Sequence, residues 1–278
     1  MKNILVPTNF TENCQKAAEL AIELAKLYNS EIHFLHYIKT PVDWVKLDKL
    51  KEERYPETLK QIGSAKANLR ELERSAENQG LKCRTFLQYD VDDKSILDHS
   101  GHFQHDFIIT GSSGTKGVIR EISGSNVEDI VRKAKVPVIV VKDEEIKFPF
   151  KSIVFVSNFE EDVTNAFKQV ISIAKKCSAK IHLLQINTKT DFNSIESSLT
   201  NIDSLLKKFP DFENYSKAVY NEDSVEIGIN TFIKQQPVDL IAMVTHGKTG
   251  FLSLFSKSIA EGVTNHSNLP VMTIHVSK

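Results

Sequence analysis

Four segments in this chain return later in the same order, and that repetition limits the folds open to it more than any other feature. ILVPTNF at Ile4 to Phe10 returns as IVFVSNF at Ile153 to Phe159, and EIHFLHY at Glu31 to Tyr37 returns as KIHLLQI at Lys180 to Ile186, both 149 residues later. Further on, DFIITGSSGTKG from Asp106 returns as DLIAMVTHGKTG from Asp239, and VPVIVV from Val136 returns as LPVMTI from Leu269, both 133 residues later. The order of the segments is kept, and the change of spacing places a loss of 16 residues in the charged crossover after the second strand. Such self-similarity calls for two copies of one domain, residues 1–146 and 147–278, rather than one continuous sheet.

Within a copy, apolar runs alternate with amphipathic ones. NILVPT, EIHFLHYI, Cys83 to Gln88, Phe107 to Thr110 and VPVIVV read as strands. Between the first two, Ala17, Leu20, Ala21, Leu24 and Leu27 recur at helical spacing, which gives a helix able to cover a sheet. Three strands are almost wholly apolar, the mark of a parallel sheet covered on both faces with right-handed crossovers. The expected class is therefore α/β. The piece WVKLDKLKEERY, ending at Pro56, reads as a separate helix or a lid.

The most distinctive single stretch is IITGSSGTKGVIREISGSN, Ile108 to Asn126, which leaves a strand, passes four glycines and enters a helix start. Glycines that expose backbone N–H groups, followed by a helix N-terminus, suit a phosphate or another anion. Neither the P-loop nor the dinucleotide spacing is present: Gly114 is followed by Thr115, Lys116 and Gly117, and no G-x-G-x-x-G surrounds Gly111. A second reading uses the same groups structurally, with the glycines turning a surface loop and Ser125 and Glu128 forming a capping box.

These residues resemble the universal stress protein family in its tandem form. Its nucleotide-binding members carry G-x2-G-x9-G-[S/T], and here Gly111 and Gly114 are followed after nine residues by Gly124 and Ser125, alongside ILVPTNF, the pair Leu35 and His36, and the closing PVIVV. The resemblance implies two Rossmann-like domains of the adenine nucleotide alpha hydrolase type, each a five-stranded parallel sheet of order 3-2-1-4-5. It also implies an ATP site, with Mg²⁺ as companion ion, in the first copy. Pro7, Thr8 and Asn9 would line the adenine pocket with Tyr37 beside them. Gly111, Ser113 and Gly114 would follow the ribose and phosphates, and Gly124, Ser125, Asn126 and Val127 would meet the phosphates. Asn9 stands where the family usually has Asp; its amide oxygen either accepts from the base or caps the following turn. The resemblance further implies that the two domains pair as an intramolecular pseudo-dimer, and it is compatible with a homodimer of chains.

The second copy departs from the pattern. Val244, Lys257, Val156 and Asn158 stand where the family has Gly, Gly, Pro and Asp, and only Gly247 and Ser258 keep their places. Weak or absent nucleotide binding is expected there, leaving a partner surface or another ligand. No G-x-S-x-G, H-E-x-x-H or zinc-type Cys/His spacing occurs, so no catalytic or metal-ligating residue is assigned; at most slow ATP hydrolysis is expected. His99, His102 and His105 read as solvated or capping histidines near a helix end.

Charge narrows the partners. Lys plus Arg number 35 against 36 for Asp plus Glu, and neither half is strongly biased, so no footprint for nucleic acid or an anionic membrane is present. Cys14, Cys83 and Cys177 lack C-x-x-C spacing and read as reduced thiols. With no apolar leader or spanning run, a cytoplasmic location is expected. Two functions fit: a stress-response sensor or regulator binding ATP or a related adenine nucleotide, and a ligand-free interaction protein acting through dimerisation.

Overall fold

The computed structural model describes residues 1–90, 96–112, 127–142, 145–189, 191–245 and 269–276. The chain divides into two units, Met1–Asp143 and Glu144–Lys278. In the first, β1 (Asn3–Pro7), β2 (Glu31–Lys39), β3 (Cys83–Asp90), β4 (Phe107–Gly111) and β5 (Val138–Val141) form a parallel sheet of order β3-β2-β1-β4-β5. In the second, β6 (Ser152–Val156), β7 (Lys180–Asn187), β8 (Tyr215–Asn221), β9 (Leu240–Thr245) and β10 (Val271–His275) repeat the order as β8-β7-β6-β9-β10. The family's strand order is thus realised twice.

Helices fill the crossovers. The first unit has α1 (Glu12–Tyr28), α2 (Lys49–Glu52), α3 (Pro56–Glu77), α4 (Ile96–His102) and α5 (Val127–Lys133). The second has α6 (Thr164–Cys177), α7 (Ile195–Leu206) and α8 (Val225–Gln235). Ala17, Leu20, Ala21 and Leu24 of α1 are buried, as their spacing requires. Among the described residues no helix is long and apolar enough to cross a membrane.

The repeat extends to details of the backbone. Asp106 accepts hydrogen bonds from the main-chain N–H groups of Lys2 (2.7 Å) and Asn3 (3.1 Å), and Asp239 does the same for Lys151 (2.7 Å) and Ser152 (3.0 Å). Each carboxylate ties the turn before the fourth strand to the start of the first. Left-handed backbone recurs at Phe10 (φ 63°) and Phe159 (φ 56°), and at the helix C-caps Asn29 and Ser178 (both φ 54°). A left-handed cap is ordinary for Asn, whereas a bulky aromatic there is an outlier.

The WVKLDKLKEERY piece is a clasp. A 3-10 turn at Trp44–Lys46 drops the Trp44 ring onto Ile38, Ile62 and Ala65, edge-on to Tyr55 at 6.0 Å, while α2 follows on the surface. In the shorter second copy the corresponding ground is polar. Asn187 donates to the Asn193 carbonyl (2.9 Å) and to Asn221 (3.0 Å), and Asn193 donates to Glu160 (2.6 Å).

Candidate functional site

In a parallel sheet of this order the carboxyl ends of the first and fourth strands lie side by side while their chains leave in opposite directions, which opens a crevice. Here those ends are Pro7 of β1 and Gly111 of β4. Thr8 and Asn9, expected to line a nucleotide pocket, follow directly on Pro7. Thr8 continues β1, its N–H donating to the Leu35 carbonyl of β2 at 2.9 Å. Its hydroxyl then accepts from the N–H of Phe10 (3.0 Å), and its carbonyl accepts from Nδ1–H of His36 (2.7 Å). Burial lowers the pKa of His36, with the Thr8 bond opposing, so the ring is neutral at pH 7 and its Nδ1 carries the proton.

Asn9 is committed to the turn. Its Oδ1 accepts from the Thr11 N–H (3.2 Å), the Thr11 hydroxyl (2.7 Å) and the Cys14 thiol (3.1 Å). A backbone N–H donor fixes this atom as the oxygen, so the group left for a ligand is Nδ2, a donor. The capping role foreseen for Asn9 is therefore present. Asn158 of the second unit is held less tightly, accepting from the Glu160 N–H at 3.4 Å.

Gly111 has a packing role that spacing did not reveal. A Cβ on it would lie 2.5 Å from the carbonyl carbon of Asn13 and 2.6 Å from the N of Cys14, both main-chain atoms of the first turn of α1. The Asn13 amide also donates to the Ser112 carbonyl. The first turn of α1 thus lies directly on β4. In the second unit Val244 takes the place of Gly111, and the helix begins at Thr164, although the position matching Glu12 is Glu161. A branched side chain there removes the room that a first helical turn needs.

Tyr37 is buried on β2, on the face opposite His36, and Val127 opens the described part of α5. Ser113, Gly114, Gly124, Ser125 and Asn126 lie outside the described residues. Pro7, Thr8, Asn9 and Gly111 thus come together at one end of the sheet. Among the described residues no group of three or more His, Cys, Asp or Glu side chains is placed to hold a metal ion.

Comparison with known proteins decides the family. The sequence pattern of the universal stress protein family matches residues 1–142 and 212–275. The chain belongs to the universal stress protein family. A universal stress protein of Methanocaldococcus jannaschii is 27% identical over 149 residues, which is 51% of this chain and 82% of that protein. Among solved structures, a universal stress protein from Archaeoglobus fulgidus has a TM-score of 0.72 at 18% identity, covering 98% of both chains. A protein of unknown function from Pseudomonas aeruginosa has a TM-score of 0.65 at 14% identity, covering 99% of this chain and 92% of its own. These two likenesses establish the tandem fold. Two other universal stress proteins, matched over about half of this chain, are complexes with cAMP (TM-score 0.38, 17% identity) and with dAMP (TM-score 0.36, 18% identity). Those ligands belong to those proteins.

The main correction concerns the histidines. His99 and His105 are 7% and 4% exposed, not solvated, and they meet a third imidazole, His33 of β2. The signal available was Phe103 between them and Phe86 across from them, an aromatic environment that a spacing rule for helices does not capture.

Proposed function

We propose that this universal stress protein is a stress-response regulator whose first unit binds ATP or a related adenine nucleotide, and whose bound state alters a surface read by a partner. The observation that carries this reading is the convergence of the Thr8–Asn9 turn and Gly111 at the reversal point of the first sheet, with the Gly114 to Ser125 spacing next in sequence. A donor at Asn9 Nδ2 serves the ring nitrogens of a base, which are acceptors. Mg²⁺ would accompany the phosphates as a charge partner. The reading is one of binding rather than turnover, since the sequence offers no carboxylate evidently placed to orient water.

The second unit is assigned no nucleotide. Val244 and Lys257 stand in sequence where the family's nucleotide-binding members carry glycine, which a phosphate cradle needs for bare backbone. Pairing of the two units, and of whole chains, belongs to the same proposal; sedimentation of the full chain decides the pairing of chains. A second reading, an interaction protein without ligand, is favoured by the exposure of Val45 (79%) and Leu50 (77%) on the surface of the Trp44 clasp.

Native mass spectrometry of the purified chain, followed by titration with ATP and Mg²⁺, tests the proposal. One nucleotide per chain, lost when Gly114 or Gly124 is replaced by Val, is expected. No binding at saturating ATP, two equivalent sites, or a site confined to residues 147–278 would refute it.

A further inference from the structure

A feature unconnected with the crevice stands at the opposite, amino-terminal end of the first sheet. Glu31 and His33 of β2 point into the space beneath α4, where His99 and His105 also lie. The groups form a line. Nε2–H of His33 donates to Glu31 at 2.9 Å, and one proton is held between His33 Nδ1 and His105 Nε2, 2.7 Å apart. In the arrangement where Nε2 of His33 donates to Glu31 and its Nδ1 accepts, the shared proton belongs to His105, which leaves His105 Nδ1 as a bare acceptor. Among the described residues, His105 Nδ1 and His99 Nε2 are both buried without a hydrogen-bond partner. The rings of His99 and His105 are stacked at 5.7 Å, and those of His33 and His105 meet edge-on at 4.7 Å.

The second unit supplies an internal control. At the spacing of 133 residues, His99 corresponds to Phe232 and His105 to Val238, both buried in an apolar cluster with Ile229, while Ile96 corresponds to Ile229 itself. His33 corresponds to His182, whose two ring nitrogens are satisfied by Ser216 (2.6 Å) and Ser152 (3.1 Å). The fold is therefore complete with Phe and Val at these places. The first unit instead carries two imidazoles with unspent lone pairs, at a cost in desolvation that apolar side chains avoid.

We propose that His33, His99 and His105 form an acid-operated latch, which holds α4 on the first sheet at neutral pH and releases it on protonation while the rest of the unit stays folded. Each added proton puts a positive charge into a space that already holds two other imidazoles and, among the described residues, no free carboxylate. Glu31 is taken by His33 and by Arg84 of β3 (Nε to Oε1, 2.7 Å), with Lys82 near it. Asp106, in the turn after α4, is taken by the N–H groups of Lys2 and Asn3 and faces the Met1 amine at 3.8 Å. On α4 itself Asp98 has its own interactions, and His102 adds a further imidazole near His99. Release of α4 is the simplest relief, because it returns the rings to water.

The direction in which these groups are shifted agrees with the geometry. Burial first, then the neighbouring His33 and His102, push His99 down to about 4; burial first, then His33 and His99, push His105 down to about 4, against a smaller pull from the Ser100 carbonyl and Asp106. An open latch binds these protons near 6.5 and a closed one near 4, so opening is favoured as pH falls between those values. At pH 4.5 the opening equilibrium should rise on the order of 100-fold relative to neutral pH for one histidine alone.

Hydrogen exchange of the full chain at pH 7.5 and at pH 4.5, corrected for intrinsic exchange chemistry, reads the latch directly. The amides of 96–105 should lose protection by at least about 100-fold, while those of 229–238 in the same molecule keep theirs. The double substitution His99→Phe, His105→Val, copied from the second unit, should remove the difference, and His102→Ala should retain it. Unchanged protection of 96–105 at pH 4.5, loss spread evenly through residues 1–143, or an undiminished acid response in the double variant would each overturn the proposal. If the double variant does not fold, ring titration of His99 and His105 by NMR in the native chain decides instead: coupling to the loss of protection supports the latch, and titration without it refutes it.

Discussion

Gly111 of β4 lies so close beneath Asn13 of α1 that a single added carbon would sit 2.5 Å from a main-chain atom. Neither partner can swing aside, because both are backbone. Gly111→Ala must therefore shift the first turn of α1 and should cost about 1–3 kcal/mol, the range for overpacking a close contact. Thermal melting without any nucleotide should show the loss. A variant as stable as the parent, impaired only in binding, would return Gly111 to a purely ligand-facing role.

Phe10 combines a backbone penalty with a packing gain. Its left-handed φ of 63° costs about 1–2 kcal/mol for a residue with a Cβ, while its ring lies 4.5 Å from that of His36 and against the Trp44 cluster. Phe10→Gly loses the ring and recovers the backbone penalty; Phe10→Ala loses the ring and recovers nothing. Stability should fall in the order parent, Gly variant, Ala variant, with about 1 kcal/mol between the last two. Denaturant titration giving the Ala variant as the more stable would show that the turn relaxes away from left-handed geometry.

Asn9 offers a test of how the proposed nucleotide is read. With Oδ1 bound in the turn, replacement by Asp keeps the turn and changes the outward atom from a donor to an acceptor. Asn9→Asp should raise the preference for ATP over ITP by about 10-fold, since adenine carries an amino group where hypoxanthine carries a carbonyl. Competition binding measures the ratio. An unchanged ratio would place the base away from Asn9.

Stability of the first unit should depend on acid in a defined window. His99 and His105 have folded values of about 4 against 6.5, so each contributes stability that is fully present above pH 6.5 and is lost as pH falls toward 4. The full loss is about 3 kcal/mol or less per residue, less if α4 detaches before the unit melts. Melting temperatures of the parent and of His99→Phe, His105→Val, taken from pH 7.5 to 4.5, should separate progressively below pH 6.5, the parent falling further than the variant. A parent that resists acid better than the variant would reverse the sign of this linkage.

Strand order, both sheets and the amphipathic face of α1 were legible because they rest on short-range periodicity and on a repeat that any parallel α/β unit would leave. The nearness of the carboxyl ends of β1 and β4 was legible for a similar reason, since topology alone sets where Pro7 and Gly111 lie. Burial of His99 and His105 was not, because the residues that cover them, Phe86 and His33, are distant in sequence and polar residues are ordinarily outside. Nor was the fold of the Trp44 clasp. Its charged composition leaves a separate helix and a lid equally open, and the ring of Trp44 with a few distant neighbours is what holds it down.

The paired left-handed phenylalanines carry a history. A bulky ring on that backbone is rare enough that two separate arrivals, at Phe10 and Phe159, explain the pair poorly. One ancestral domain that already bore the ring, copied once, explains it simply. The helix caps Asn29 and Ser178 keep the same backbone with different residues, as descent from a common template also allows. On that chronology the contrasts between Gly111 and Val244, His99 and Phe232, and His105 and Val238 are younger than the ring, and each is a change made in one descendant after the copying.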